Sequence, residues 1–162
     1  MTSPSSLSPL PGAVVVDASV AVAIASKEAG RDKQATTELN AYAAQAHEWF
    51  APGAIITETL YALCQKYQSG LLTAVEHDAA VTTFEVLMGI IQPPPGGDAS
   101  LVRRAFEIGD SYGCSRSADA MYIALAEELT LTQATVLLTF DQGVPNQASK
   151  NAPTVTVQVL TT

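Results

Sequence analysis

Apolar residues follow two different spacings along the chain, and the two spacings alternate. Short segments, most of them rich in β-branched residues, predict strands at 13–16, 47–50, 90–91, 135–139 and 154–160. Longer segments with apolar residues at helical spacing predict helices at 18–25, 33–46, 54–68, 74–88, 98–112 and 117–129. Strands that alternate with long helices are typical of an α/β domain with a largely parallel sheet.

Polar residues mark the expected starts of two of these helices. Thr73 is followed three residues later by Glu76, which is the sequence of a capping box and predicts a helix that begins next to Thr73. Ser115 or Ser117 is the expected cap of the helix that ends near residue 129, because a serine hydroxyl can accept a bond from a free N–H group of the first turn.

The segment 54–68 carries a stripe of apolar residues on one side of its predicted helix. The stripe contains residues 56, 60, 63, 64 and 67. Since an apolar stripe at this spacing usually packs on the core, Cys64 is expected to be a buried core residue.

Composition limits the class of protein. Of 162 residues, 48% are hydrophobic and 15% are charged, as in a folded domain. Residues 1–12 are Ser- and Pro-rich and are expected to form a flexible leader before a single domain at 13–162. No apolar run near the start is long enough for a membrane span, and no signal peptide is visible. Two cysteines, too few for a disulfide framework or a zinc site, favour a reducing, cytoplasmic location.

Charge argues against a passive nucleic-acid binder. Eight Lys and Arg residues against sixteen Asp and Glu residues give a formal charge of −8. The sequence shows no stripe of basic residues that could bind a phosphate backbone. An acidic protein can still act on nucleic acid when its carboxylates hold a metal ion, so the placement of the acids is the informative feature.

Two acids follow predicted strands. Asp17 comes directly after the run 13–16, and Asp141 comes two residues after Thr139, the last residue of another run. Ligands in α/β proteins bind at the carboxyl ends of parallel strands, which makes both acids candidates for a site. Each could instead be a helix cap or a turn former.

Two further acids lie on predicted helices at the edge of apolar faces. Glu58 shares a face with Ile55, and Asp119 shares a face with Tyr122. A salt bridge to Lys66 would explain Glu58, and the helix dipole would explain Asp119. Taken with the two acids at strand ends, however, they form a set of four carboxylates that requires a cation. Hard oxygen ligands without nearby Cys or His suit Mg²⁺ or Mn²⁺.

Four segments together resemble the PIN-domain family, in particular the small VapC-type toxin ribonucleases of bacterial toxin–antitoxin pairs. These segments are VVVDASVAVAI, FAPGAIITETLYAL, RSADAMYIALAEEL and LLTFDQGV. Their order and spacing agree with the family over about residues 13 to 160. The resemblance implies a three-layer α/β/α sandwich with a mostly parallel sheet of about five strands.

The resemblance also implies an activity and a site. The activity is hydrolysis of RNA by a metal-dependent endoribonuclease that leaves 5′-phosphate and 3′-hydroxyl ends. The metal, Mg²⁺ or Mn²⁺, would be held by four acids that are also catalytic: Asp17, Glu58, Asp119 and Asp141. Ser19 and Thr139 match polar positions beside the metal, and Arg116 is a candidate phosphate contact or a solvated arginine. Implied partners are RNA, a second copy of the chain and a small antitoxin protein, without a membrane.

Some features depart from the family pattern. The segment 91–98 is unusually rich in Pro and Gly, and Phe140 stands where a small residue is common. Basic residues near the last two motifs are limited to Arg103, Arg104 and Arg116. These departures concern the choice of RNA more than the metal site.

Two alternatives to the nuclease remain open from the sequence. One is a catalytically inactive PIN-like scaffold or binding module, although such a protein would not need all four acids. The other is a different acidic α/β phosphotransfer domain. A receiver domain would place an acid pair near its first strand, and a haloacid-dehalogenase-like phosphatase would have Asp-x-Asp where this chain has Asp17-Ala18-Ser19.

Overall fold

A computed structural model describes residues 10–114 and 116–161 of the chain. Its elements are β1 (Gly12–Val16), α1 (Ala18–Ala25), α2 (Arg31–Ala44), β2 (His47–Phe50), α3 (Ala54–Gln68), α4 (Ala74–Ile90), a 3₁₀ helix (Asp98–Leu101), α5 (Val102–Asp110), α6 (Ser117–Thr130), β3 (Ala134–Thr139), α7 (Val144–Asn151) and β4 (Thr156–Val159). Most of the predicted leader, residues 1–9, and one candidate cap, Ser115, lie outside the described residues.

The sheet is parallel throughout, with strand order β2-β1-β3-β4. Every residue of β1 is buried, as expected for a central strand that helices cover on both faces. Helix α6 packs on β1 and β3. Helix α1 packs on β3 and in turn contacts α2, α3 and α4. The predicted α/β/α arrangement with a parallel sheet is therefore confirmed.

The described part of the chain has four strands rather than the expected five. The predicted strand at 90–91 is absent, because α4 continues to Ile90. Only one bridge forms there, between Gln92 and Phe50 at the edge of the sheet. Residues 93–95 are prolines, which lack an N–H group and cannot extend a strand ladder, so pairing stops after one residue.

Helix α7 was not expected from the sequence. Its eight residues, VPNQASKN, contain few apolar residues, and only Val144, Gln147 and Ala148 are buried. A short polar segment gives little periodic signal, although Pro145 near its start is typical of a helix N-terminus. Helix α2 also begins two residues earlier than predicted, directly after Gly30.

Helix α3 forms where it was predicted but presents a different face to the core. Ile55, Thr59 and Leu63 are its buried residues. The residues of the predicted stripe other than Leu63 are exposed: Ile56, Leu60, Cys64 and Tyr67. The expectation of a buried Cys64 is therefore wrong, and α3 leaves a row of apolar side chains on the surface.

The pairing of β1 with β3 positions the candidate site. In this pair Val16 lies opposite Leu138, and the N–H of Asp17 donates to the carbonyl of Leu138 over 3.1 Å. The chain leaves β1 on one side for β2 and reaches β3 on the other side, so this is the point where strand order reverses. Open α/β sheets bind ligands at such a point, outside the carboxyl ends of the strands.

The capping box of α4 is formed as predicted, and it provides a test of the fold. The Glu76 N–H donates to Thr73 Oγ1 over 3.1 Å, and the Thr73 N–H donates to Glu76 Oε1 over 3.0 Å. Thr73→Ala is expected to lower the free energy of unfolding by about 1 kcal/mol, as measured by urea denaturation. Thr82→Ala is the control, because Thr82 is an exposed residue within the same helix. Equal effects of the two substitutions would contradict a capping role.

Candidate functional site

Asp17 is the most buried of the four predicted acids, with 5% of its surface exposed. It is the N-cap of α1, where its Oδ2 atom accepts from the Ser19 N–H over 3.3 Å. The same oxygen accepts from Ser19 Oγ over 2.5 Å and from Thr139 Oγ1 over 2.8 Å. Asp17 is thus a helix cap, as one alternative proposed, and also the centre of a hydrogen-bond cluster.

The two hydroxyl groups that contact Asp17 have their protons fixed in direction. Ser19 Oγ accepts from the Phe140 N–H over 3.0 Å, and Thr139 Oγ1 accepts from the Asp141 N–H over 2.9 Å. Because an ionised carboxylate only accepts hydrogen bonds, both hydroxyls direct their protons at Asp17. Burial raises the pKa of Asp17, while these hydrogen bonds oppose the rise.

Asp141 lies at the turn that follows β3. Its Oδ1 atom accepts from the Gly143 N–H over 2.7 Å, which shapes the turn into α7. Its backbone N–H is held by Thr139, as described above. The side chain of Asp141 is 37% exposed, so this acid faces the opening of the site while Asp17 lies at its base.

Asp119 lies in the first turn of α6 and its side chain is 13% exposed. Burial raises its pKa to about 6, and repulsion from the charge of Asp17 adds to the rise. Asp141 also contributes repulsion, while the hydrogen bond from Arg116 opposes it. Asp119 is therefore close enough to the other acids to interact with them electrostatically.

Glu58, on α3, reaches the same region from the opposite side. Its Oε2 atom accepts from the hydroxyl of Tyr122 on α6 over 2.8 Å. Burial raises the pKa of Glu58, and the charges of Asp17 and Asp119 raise it further. The alternative of a salt bridge to Lys66 is not observed, because the Lys66 ammonium binds Glu28 at 2.9 Å.

Arg116 lies between two of the acids. One guanidinium nitrogen, Nη1, is 3.1 Å from Asp119 Oδ2 and 2.7 Å from Asp141 Oδ2. The guanidinium also lies flat over Gly143, where a Cβ atom would come within 2.4 Å of Cζ. Arg116 thus binds Asp119 and Asp141. The sequence analysis expected either a phosphate contact or a solvated arginine, and neither expectation included this pairing.

The donor set suits a hard divalent cation, although the side chains do not yet converge on one point. Carboxylates that raise one another's pKa values lose that repulsion when a cation lies among them. Within the described residues, no three Asp, Glu, His or Cys side chains are close enough together to hold a metal ion as they stand. Arg116 occupies the position between Asp119 and Asp141.

The structure brings all four predicted acids to one edge of the sheet, together with Ser19, Thr139 and Arg116. Sequence reasoning did not assign a role to Tyr122 or Gly143. Tyr122 lies three residues after Asp119 on the same helix face, and this spacing was the available signal for its contact with the site. No sequence signal would have identified Gly143, whose contact with Arg116 arises from packing of distant segments.

This arrangement is that of an α/β protein with an acidic site at the switch point of a parallel sheet. The sequence profile described as "PIN domain" matches residues 14–150, which is most of the chain. The chain belongs to the PIN domain family, and the resemblance read from its four motifs is confirmed. PIN domains are generally nucleases.

The fold is also similar to that of a solved structure. The crystal structure of VapBC2 from Rickettsia felis, bound to a DNA fragment from their promoter, contains a chain that matches with a TM-score of 0.62. The match covers 91% of this chain and 98% of that chain, at 8% sequence identity. At this identity the likeness shows the fold alone. No curated protein matches the sequence.

The hydroxyl of Thr139 gives a testable prediction about the base of the site. Thr139→Val keeps the shape of the side chain but removes a donor to buried Asp17 and an acceptor for the Asp141 N–H. We expect a loss of about 2 kcal/mol in unfolding free energy, measured in urea without metal, because buried Asp17 loses one of its donors and the Asp141 N–H loses its acceptor.

Thr59→Val is the matched control for Thr139→Val. Thr59 is fully buried, and its hydroxyl has no hydrogen-bond partner among the residues that the structure describes. Its replacement by Val is therefore expected to leave stability unchanged or to raise it. Equal losses in the two variants would show that the hydrogen bonds of Thr139 are not the cause.

The raised pKa of Asp119 predicts a pH dependence of stability. Its pKa is about 6 in the folded chain, above the ordinary value of 3.8, so the folded state binds more protons between these values. Stability is then lost as pH rises through the folded pKa. The Asp119→Asn variant has no ionisable group at this position. Its melting temperature in EDTA should therefore rise relative to that of the wild type as the pH increases from about 4 to about 7.

The control for Asp119→Asn removes an exposed acid from the same chain. Asp78, on α4, is exposed, and Asp78→Asn should show a melting-temperature difference that changes little with pH. A constant difference for Asp119→Asn over the same range would contradict the raised pKa.

Proposed function

We propose that this protein is a metal-dependent endoribonuclease that hydrolyses RNA phosphodiester bonds, and that it is the toxin of a bacterial toxin–antitoxin pair. One observation carries the proposal. Four carboxylates from four separate segments of the chain meet near the carboxyl ends of β1 and β3: Asp17 bonds to Thr139, Arg116 joins Asp119 to Asp141, and Tyr122 on the helix of Asp119 bonds to Glu58. Membership of the PIN domain family supports the same activity.

In this proposal Asp17, Glu58, Asp119 and Asp141 hold Mg²⁺ or Mn²⁺. The bound cation would supply an activated water at neutral pH and would stabilise negative charge on the phosphate. The chain's own contribution is positioning. Ser19 and Thr139 fix the direction of the Asp17 carboxylate, and Tyr122 fixes Glu58.

Positive charge near the site supports RNA as the substrate despite the acidic composition. The Arg31 guanidinium lies 4.9 Å from the centre of the Phe140 ring, and Phe140 directly precedes Asp141. Lys66 lies two turns along α3 from Glu58. Both cations bind Glu28, so the three side chains together carry one net positive charge, which could contact a phosphate group.

Exposed apolar surface supports protein partners. Helices α3 and α4 enclose an apolar groove of about 510 Å³, lined by Ile56, Leu60, Val81, Phe84, Glu85, Met88 and Gly89. A groove of this kind suits an amphipathic segment of a small antitoxin. Val102 and Phe106 on α5 are 60% and 59% exposed and would suit contact with a second copy of the chain.

The proposed location is the cytoplasm, where RNA and an antitoxin would be available. In the part of the chain that the structure describes, no helix is long and apolar enough to cross a membrane.

RNA cleavage is the direct test. Purified protein is incubated with total cellular RNA in Mg²⁺, in Mn²⁺ and in EDTA, and the ends of the products are mapped. We expect cleavage only with metal, and products with 5′-phosphate ends. Asp17→Asn should reduce the rate by at least about a hundredfold, because it removes a charged ligand from the base of the site.

Asp78→Asn is the matched control, since it removes the same charge from an exposed position on α4. Cleavage in EDTA would contradict the metal site. Full cleavage activity in the Asp17→Asn variant would contradict it as well. A folded wild-type protein that cleaves no RNA under any of these conditions would favour the inactive binding module.

A further inference from the structure

The acidic site already contains a cation that belongs to the chain. Arg116 Nη1 bonds to both Asp119 and Asp141, and it is the only nitrogen of Arg116 for which such bonds are described. Among the described residues, no other Lys or Arg side chain forms a salt bridge to any of the four acids. A single side chain thus neutralises part of the repulsion in the site.

The backbone around Arg116 does not explain why an arginine stands there. Arg116 is the N-cap of α6, a position that favours Ser, Thr, Asp or Asn, and its side chain makes no capping bond. A cation at a helix N-terminus is also repelled by the helix dipole. Its φ of 57° lies in the left-handed region, which is unfavourable for a side chain of this size. The missing cap, the helix dipole and the left-handed backbone all disfavour an arginine here, and the two bonds to carboxylates offset these costs.

Resting on the proposed metal site, we infer that Arg116 is a built-in counter-ion that competes with the divalent cation for Asp119 and Asp141, and that metal binding displaces it. The two carboxylate oxygens that it bonds are ligand atoms of the proposed site. A guanidinium and a metal ion cannot both occupy the space between them.

The geometry allows Arg116 to leave. Its side chain is 39% exposed, so it can turn into solvent and regain hydration when it leaves the two carboxylates. Its present position depends on Gly143, because the guanidinium lies where the Cβ atom of any other residue would be. Gly143 has φ −80° and ψ −21°, a conformation that alanine adopts freely. Gly143→Ala should therefore displace the guanidinium without removing its charge.

Binding of Mn²⁺ measures this competition without reference to cleavage. Free Mn²⁺ is followed by electron paramagnetic resonance during titration of the full chain at constant pH and salt. Arg116→Gln and Gly143→Ala are each expected to bind Mn²⁺ about tenfold more tightly than the wild type, because the metal no longer displaces two charged bonds. The wild-type protein and both variants are checked for folding by circular dichroism.

Arg103→Gln is the matched control. It removes the same charge from α5, where Arg103 lies 5.9 Å from the Phe106 ring and forms no salt bridge in the described part of the chain. It should change the affinity by less than about twofold, since a distant exposed charge is largely screened by salt.

Each other outcome overturns the inference in a recognisable way. If Arg116→Gln or Gly143→Ala binds Mn²⁺ as the wild type does, or more weakly, Arg116 does not compete with metal and the metal site stands. If Arg103→Gln tightens binding as much as Arg116→Gln, the effect is one of net charge. If neither the wild type nor any variant binds Mn²⁺, both this inference and the proposed function fail.

Discussion

Parallel pairing of β1 with β3 is the constraint on which the rest of the site depends. The pairing brings the residue after Val16 level with the end of β3, and the Asp17 N–H completes the ladder by donating to Leu138. Thr139 is then adjacent to Asp17, so its hydroxyl can reach the carboxylate. A shift of one residue in this register would turn Thr139 to the other face of the sheet and remove that contact.

The site combines a rigid base with an adjustable opening. At the base, two hydroxyls and a helix N-terminus hold a buried carboxylate in one orientation. At the opening, Asp141 and Arg116 are both more than a third exposed, and Arg116 is held there by two hydrogen bonds from one nitrogen. Because burial decreases from Asp17 to Asp141, the outer side chains can rearrange while Asp17 keeps its place, which suits the proposed binding of both a metal ion and RNA.

The sequence predicted the parts of the site that depend on local pattern. Asp17 and Asp141 were identifiable because each follows an apolar strand, where parallel sheets bind ligands, and Asp119 because it lies at the edge of an apolar helix face. The buried face of α3 was not predictable, because Ile55 and Ile56 are equally apolar and only tertiary packing decides which one is covered. The contacts of Arg116 likewise depend on two loops that are far apart in sequence. The prediction of a fifth strand at 90–91 was wrong because helix α4 continues to Ile90 and prolines follow at 93–95.

Asp17 has one observed role and one proposed role, and chemistry can separate them. As the cap of α1 it needs only an oxygen acceptor, which asparagine supplies about equally well. As a cation ligand it needs a full negative charge. The codons of these two amino acids differ by one nucleotide, so a single mutation can silence the proposed chemistry while the fold and the apolar groove persist. For the toxin that we propose, such alleles would lose cleavage but keep the surface proposed to bind the antitoxin.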